Sequence, residues 1–387
     1  MEDKKSKNIL VVNGILHSHF TGSVEIIREL VSLGHKVTCY VLDEFGERAK
    51  GLGARVFVYN VDRDELKKQI PPEDPPIAIN PLIFARAYDH IFTLLTKDDT
   101  KYDYYIIESF FDIKEMNKIL KIPSDKIVLY CICPIFTDQD MTDPRRKKGL
   151  IYADKKYNLD LHDFVQIHYI PNKFKKLILT SKLFHLRSEN TDDTCYFMGP
   201  FIEKRKIDEN FKFTKDKNKK LIYISLGTIF NSQEKFYFKC IEAFKDSEEY
   251  QVIISIGKFI DINKFKDIPK NISVFPYVPQ TQLLTDVDIF ITHGGINSVE
   301  EGLSAGVPLI VIPQKYDQFD NAKRVEELEA GISLDKNKIE ITVDVLKDAV
   351  NNITVNREKY KKGIEKIVES FNEARNNRKN IYEKIFV

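Results

Sequence analysis

The sequence lacks the features that would mark a secreted, membrane-spanning or nucleic-acid-binding chain. No apolar run approaches the roughly 20 residues that a transmembrane helix needs. The opening MEDKKSKNILVVNG places charge before only four apolar residues, Ile9–Val12, which is too short for a signal-peptide core. That stretch reads as a first β-strand, and the expected location is cytoplasmic. The five cysteines (Cys39, Cys131, Cys133, Cys195 and Cys240) are odd in number and scattered, with no CxxC pair. They read as buried free thiols in a reducing compartment. With 59 Lys+Arg against 58 Asp+Glu, the net charge is +1, so no electrostatic surplus points to nucleic acid. The basic clusters Lys173–Lys176 and Lys215–Lys220 read as solvated surface or linker. A membrane-surface contact through Phe174, Lys175, Lys176 and Leu177 is the lesser alternative. There is no internal repeat shorter than a domain.

What is present is a chain of 387 residues, 43% hydrophobic, enough for two domains with cores of their own. Ile9–Val12 is followed by a loop, Asn13–Phe20. A helix is then predicted from Thr21-Gly22-Ser23, with Val24, Ile27, Leu30 and Val31 on one face. Gly34-His35 ends it, and strands follow at Lys36–Leu42 and Gly53–Tyr59. This is a βαβαβ pattern, the half of a doubly wound sheet. Pro71–Pro76 is a proline-rich connection, and 82–95 reads as a helix carrying Phe84, Tyr88 and Phe92. Further strands are predicted at Tyr104–Glu108, Lys126–Cys131, Leu177–Thr180 and Cys195–Pro200, with a polar loop at Thr137–Lys148. A stretch poor in aliphatics then separates a second doubly wound pattern, beginning at Leu221–Ile224 and continuing with Val252–Ile256 and Val274-Phe275. Helices rich in Lys, Glu and Asn run from Val343 to Ile385.

The most informative stretch is ITHGGINSVEEGLSAGVPLIVIP, Ile291 to Pro313. Val287–Ile291 reads as a buried parallel strand, broken by His293-Gly294-Gly295. Asn297 and Ser298 are capping-type residues that open a helix, which Gly306 stops, and Val307–Ile312 is the next strand. A glycine loop between strand and helix leaves backbone N–H groups without intrahelical partners, all pointing one way. With the helix dipole they suit a phosphate or diphosphate. His293, Asn297 and Ser298 add side-chain donors, and Glu301 lies one turn on, where a ribose would reach. The Gly-Gly pair alone reads better as a plain βαβ turn; the constellation is what carries the reading.

The whole run YVPQTQLLTDVDIFITHGGINSVEEGLSAGVPLIVIPQKYDQFDNAKRV, Tyr277 to Val325, resembles the nucleotide-sugar signature of the family 1 glycosyltransferases, the UDP-glycosyltransferase superfamily. The likeness is to the bacterial macrolide-type members. The resemblance implies a GT-B fold: α/β, two Rossmann-like doubly wound domains facing across a cleft. It places an acceptor-binding domain at 1–203, a linker at 204–220, a nucleotide-sugar-binding domain at 221–370, and a final helix at 371–387 returning to the N-terminal domain. It implies further that Tyr277 stacks on the base, that Val278 and Gln280 contact base or ribose, and that Asp317-Gln318 holds the sugar's hydroxyls. Ser225, Gly227 and Thr228 correspond to the loop on the diphosphate side, with His293, Gly295, Asn297, Ser298 and Glu301 around the diphosphate and ribose.

In the family a histidine before the first long helix removes the acceptor's proton, and an aspartate orients it. Counting back from Val24–Leu30, the matching histidine is His19 rather than His17. Imidazole suits the task, since a sugar acceptor's hydroxyl needs a base that works near neutral pH. The loop reads HSHFTGS rather than the family's glycine and Asn-Pro pattern. Glu108 takes the aspartate's place, one methylene longer, with Asp112 as the alternative. No cofactor and no metal is expected; Asp286-Val287-Asp288 has an Asp-x-Asp form but starts a buried strand, away from the loop, and reads as structural. The expected partners are a UDP-sugar donor, UDP-glucose first, and a lipophilic hydroxylated small-molecule acceptor such as a macrolide, flavonoid or sterol. UDP-N-acetylglucosamine, UDP-galactose and dTDP-sugars fit as well. The expected enzyme is an inverting, metal-independent hexosyltransferase, monomeric or weakly dimeric. A nucleotide-sugar epimerase of the same architecture and a catalytically silent nucleotide-sugar-binding subunit are the alternatives.

Overall fold

A computed structural model describes residues 6–14, 17–62, 65, 90–109, 121–132, 174–186, 188–202, 207–228, 231–315 and 317–387. Asp112, Cys133, Lys173, the Pro71–Pro76 connection and the Thr137–Lys148 loop lie outside the described residues. So does most of the helix expected over 82–95, of which 90–95 are described and helical. The chain divides into two compact units. Among the described residues no helix is long and apolar enough to cross a membrane.

The first unit takes in Met1–Thr180, Arg187–Glu203 and Asn376–Val387. Its strands are β1 (Asn8–Val12), β2 (Lys36–Leu42), β3 (Arg55–Tyr59), β4 (Tyr104–Glu108), β5 (Ile127–Cys131), β6 (Lys175–Ile178) and β7 (Cys195–Phe197). They form one sheet in the order β3-β2-β1-β4-β5-β6-β7, with parallel pairings throughout. Helices covering both faces of such a sheet make its strands continuous apolar runs, and β5, IVLYC, is buried along its whole length. Strand order reverses between β1 and β4, so their carboxyl ends form the topological switch point where ligands of such sheets bind.

Helix α1 (His17–Ser32) starts four residues before the expected Thr21. The reason lies in where the small polar residues spend their hydrogen bonds. Ser23 Oγ donates to the carbonyl of Phe20 inside the helix (2.8 Å), instead of capping its end. The apolar face also reaches back to Phe20, which is fully buried and stacks on Phe45 at 4.6 Å between centroids. Phe45 leads into the short helix α2 (Gly46–Lys50).

The basic run near residue 175 is not a solvated surface. Phe174 and Lys176 are each 2% exposed, and Lys176 lies in β6. Its ammonium donates to Thr194 Oγ1 (2.6 Å) and lies 3.7 Å from Asp192 Oδ1. A buried charge needs such partners, and these arrive from a segment just before β7. A membrane contact through Phe174 and Lys176 is therefore excluded by their burial. The last helix, Arg378–Ile385, also packs within this unit. Arg378 donates to the carbonyls of Met198 (2.6 Å) and Pro200 (2.8 Å) and pairs with Glu29 (2.8 Å).

The second unit takes in Ser181–Leu186 and Lys204–Arg375. Its parallel strands are β8 (Lys220–Ser225), β9 (Tyr250–Ser255), β10 (Ile272–Phe275), β11 (Ile289–Thr292), β12 (Leu309–Val311) and β13 (Gly331–Ser333). They lie in the order β10-β9-β8-β11-β12-β13, which repeats the first unit's reversal, here between β8 and β11. Helices α3 (Glu234–Phe244), α4 (Gln280–Leu283), α5 (Ile296–Ser304), α6 (Gln318–Glu327), α7 (Val343–Val355) and α8 (Arg357–Asn376) surround the sheet. Ile222, Val252, Ile291, Ile310 and Leu346 belong to one buried core. Strand β13 is too short to be seen as a periodic run, and it depends on Gly331: a β-carbon there would fall 2.1 Å from the carbonyl oxygen of Leu309.

Candidate active site

In the first unit β1 ends at Val12, which pairs with Ile107 of β4. Asn13 and Gly14 follow β1, and Glu108 is the last residue of β4, so the next residues of both strands meet at the switch point. His19 sits in the first turn of α1, 6% exposed, and Glu108 is fully buried. His19 Nδ1 lies 2.9 Å from Glu108 Oε1. A carboxylate accepts hydrogen bonds, so Nδ1 carries the hydrogen and Nε2 carries the lone pair. This is the arrangement of an oriented general base, a histidine held in one tautomer by a buried carboxylate. His17 is helical in its backbone and its side chain lies outside the description, as does Asp112, the alternative carboxylate.

In the second unit the equivalent place holds glycines and an imidazole. Ser225 closes β8, and its hydroxyl accepts from the N–H of Gly227 (3.3 Å). Gly227 has φ +74°, a left-handed conformation that glycine adopts without strain. A β-carbon there would fall 2.5 Å from His293 Cε1, and one on Gly295 would fall 2.6 Å from His293 Nε2. The imidazole is therefore flanked by two glycine backbones. Thr228, next in the loop, is exposed. Although His293 keeps a part-exposed edge, burial lowers its pKa from 6.5 to about 4. At neutral pH it is an uncharged hydrogen-bonding group.

Helix α5 begins at Ile296 with Gly295 as its N-cap, and no side chain caps it. Asn297 and Ser298 lie inside its first turn and are not its caps, because the bare glycine already makes the turn into the helix. The first-turn amides and the dipole's positive end therefore lie beside His293. Ser298 Oγ accepts from Gln280 Nε2 (3.2 Å), which donates also to Glu301 Oε2 (2.6 Å). Tyr277 is 60% exposed, as a ring offered for stacking would be, while Val278 is buried. Gln318 Oε1 accepts from the N–H groups of Gln314 (2.8 Å) and Lys315 (3.0 Å), fixing the loop that carries Asp317.

Three residues that brace this site were not picked out from the sequence. Asn321 Nδ2 donates to the carbonyl of Gly294 (2.9 Å) and to Asp317 Oδ2 (3.1 Å). Its position four residues after Asp317, one helical turn on, was the available signal. Asn231, fully buried, donates through Nδ2 to the carbonyl of Gly227 (2.7 Å). Tyr223 donates to Gln280 Oε1 (3.3 Å), and burial pushes its phenol well above the ordinary value, so it keeps its proton. Nothing in the local sequence marks the last two. Asp288, by contrast, is engaged structurally: its Oδ2 accepts from Lys215 Nζ (2.8 Å) and the N–H of Leu221 (3.0 Å), at the end of β11 away from His293.

Comparisons with known proteins bear on the family and fold of the chain. Residues 247–378 match the family model described as erythromycin biosynthesis protein CIII-like, C-terminal domain. The chain is 31% identical to the NDP-glycosyltransferase YjiC of Bacillus subtilis (strain 168) over 368 residues, covering 92% of this chain and 91% of that protein. It is 37% identical to the uncharacterized UDP-glucosyltransferase YdhE of the same organism, over 62% of this chain and 58% of that one. In fold it is similar to the crystal structure of the glycotransferase of kitacinnamycin, with TM-score 0.79 and 22% identity, covering 98% of this chain and 99% of the other. Neither an epimerase nor a silent subunit is favoured by these relatives. Since the likeness to YjiC runs nearly the length of both chains, and the fold is that of a GT-B protein, the chain belongs to the UDP-glycosyltransferase family and is a glycosyltransferase.

Proposed function

We propose that this enzyme moves a hexose from a UDP-sugar, UDP-glucose first, to a hydroxyl of a lipophilic small molecule, inverting the anomeric configuration without a metal. The observation that carries the proposal is the buried contact of 2.9 Å between His19 Nδ1 and Glu108 Oε1. Nε2 of His19 takes the proton of the acceptor hydroxyl as its oxygen attacks the anomeric carbon. The new carbon–oxygen bond forms opposite the bond to the diphosphate, which breaks with its electron pair. Glu108 stabilises the imidazolium until it returns its proton to solvent.

The leaving diphosphate is received by the first-turn amides of α5, with His293, Asn297 and Ser298 as hydrogen-bonding side chains. Fixed dipoles aimed at developing charge need no reorganisation during the reaction. Tyr277, Val278 and Gln280 take the base and ribose, Glu301 the ribose, and Asp317 and Gln318 the sugar. Ser225, Gly227, Thr228 and Gly295 shape the diphosphate loop. The name of the relative YdhE supports UDP-glucose. The match to an erythromycin-biosynthesis family supports a lipophilic acceptor.

The test is a donor screen by mass spectrometry against a panel of phenols and macrolides. A glycoside and a free nucleoside diphosphate are expected, with unchanged yield in a chelator and the anomeric configuration opposite to the donor's by NMR. His19→Ala is expected to lower transfer by about 10²–10⁴-fold. Retained configuration would exclude the single displacement. Calorimetric UDP binding with no product across the panel would exclude transfer to this acceptor class.

A further inference from the structure

The carboxylate that orients His19 has two oxygens, and the mechanism above uses one. Glu108 Oε2 is buried and has no hydrogen-bond partner among the described residues. It is turned toward Gly14. A β-carbon on Gly14 would lie 2.2 Å from Oε2, 3.2 Å from Glu108 Cδ and 3.5 Å from His19 Nδ1. A side-chain tip in solvent would swing aside, but Glu108 is 0% exposed. Its carboxylate is also rigid and planar, so displacing Oε2 carries Oε1 away from the imidazole. Gly14 is not among the glycines with positive φ, so its backbone does not itself require glycine. What the position requires is space.

We propose that Gly14 is a positioning residue: its missing side chain makes room for the longer glutamate arm at position 108, and so sets the contact between Glu108 and His19. This rests on reading His19 as the base. Residues 14 and 108 then form a size-matched pair, in which a larger residue 14 demands a shorter carboxylate.

Gly14→Ala, Glu108→Asp and the double variant would be compared with the wild type for kcat, donor KM and UDP affinity. Gly14→Ala is expected to lower kcat by about 10²-fold, the order expected when a catalytic group moves by about 1 Å, with donor KM and UDP affinity held. Glu108→Asp alone is slower because its carboxylate falls short. Adding it to Gly14→Ala is expected to recover about tenfold of the loss, a non-additive result that a merely structural glycine would not give. A kcat for Gly14→Ala within about threefold of wild type overturns the proposal, as does a double variant whose loss is the product of the single losses. If Gly14→Ala lowers the melting temperature, the double variant still decides. It regains both fold and rate under the proposal, and neither if residue 14 serves only the backbone. An active His19→Ala would overturn the base reading itself. An inactive His19→Ala beside a fully active Gly14→Ala would overturn only the role of Gly14.

Discussion

The two units share a topology and differ in what they place at the same point of it. Both sheets reverse their strand order once, between β1 and β4 in the first unit and between β8 and β11 in the second. At the first reversal stand two ionisable side chains, His19 and Glu108, packed to a contact of 2.9 Å. At the second stand Gly227, Gly294 and Gly295 around a histidine held neutral by burial. Under the proposed function the first site moves a proton, which takes a base and a carboxylate that supports its charged form. The second then accepts an anion, which takes close backbone approach and amide dipoles. The fold supplies the opening, and the residues supply the chemistry.

The comparison breaks most readily at Glu108. Glu108→Gln keeps the size and removes the charge, and its amide can present N–H to the imidazole and favour the wrong tautomer. Transfer is expected to fall by about 10²–10⁴-fold while UDP affinity, measured by calorimetry, is unchanged. A parallel loss of UDP affinity would show that the two sites are not separate in function.

The converse variant is Gly294→Ala. Gly294 has φ +86°, and a β-carbon there would fall 2.6 Å from Val311 Cγ1. Strain of about 1–3 kcal/mol is expected in thermal unfolding, with UDP affinity lowered by about 10-fold to 100-fold. Asn321→Ala, which frees the carbonyl of Gly294, sharpens the same point at about 1–2 kcal/mol of UDP binding.

The pH dependence of stability tests the burial of His293. His293 has a folded pKa of about 4 against an ordinary 6.5, so the unfolded chain binds the proton first. Its contribution to stability is therefore complete above about 6.5 and is lost as pH falls toward about 4. Melting temperatures of the wild type and His293→Asn should converge across that window, and parallel curves would refute the assignment. Asp288→Asn has the smallest expected effect, about 1 kcal/mol of stability with transfer unchanged, since its bonds to Lys215 and Leu221 are structural.

The strands were the most legible part of the chain. β2 and β4 fall on the expected Lys36–Leu42 and Tyr104–Glu108, because strands buried on both faces are written as unbroken apolar runs. Helix starts were less legible. Thr21 and Ser23 look like caps, but a small hydroxyl bonds wherever the nearest carbonyl lies, and for Ser23 that is Phe20 within the helix. Lys176 misleads for a related reason: its partner hydroxyl, on Thr194, is 18 residues away in sequence. Of the site, the glycine loop and the histidine at the start of the first helix were readable as motifs, whereas Asn231 and Tyr223 act through contacts that no local pattern announces.

The sequence by itself determined the class of the protein: apolar runs of strand length and glycine breaks specify two doubly wound sheets, and a loop-to-helix signature marks where the second sheet's candidate site lies. Those properties follow from local steric and hydrophobic rules acting over a few residues. Only the tertiary structure showed that Glu108 comes within 2.9 Å of His19, and that a β-carbon at residue 14 would fall 2.2 Å from its second oxygen. Gly14 follows β1, His19 lies in α1 and Glu108 ends β4, and the distances between them are set by the pairing of β1 with β4 and the packing of α1.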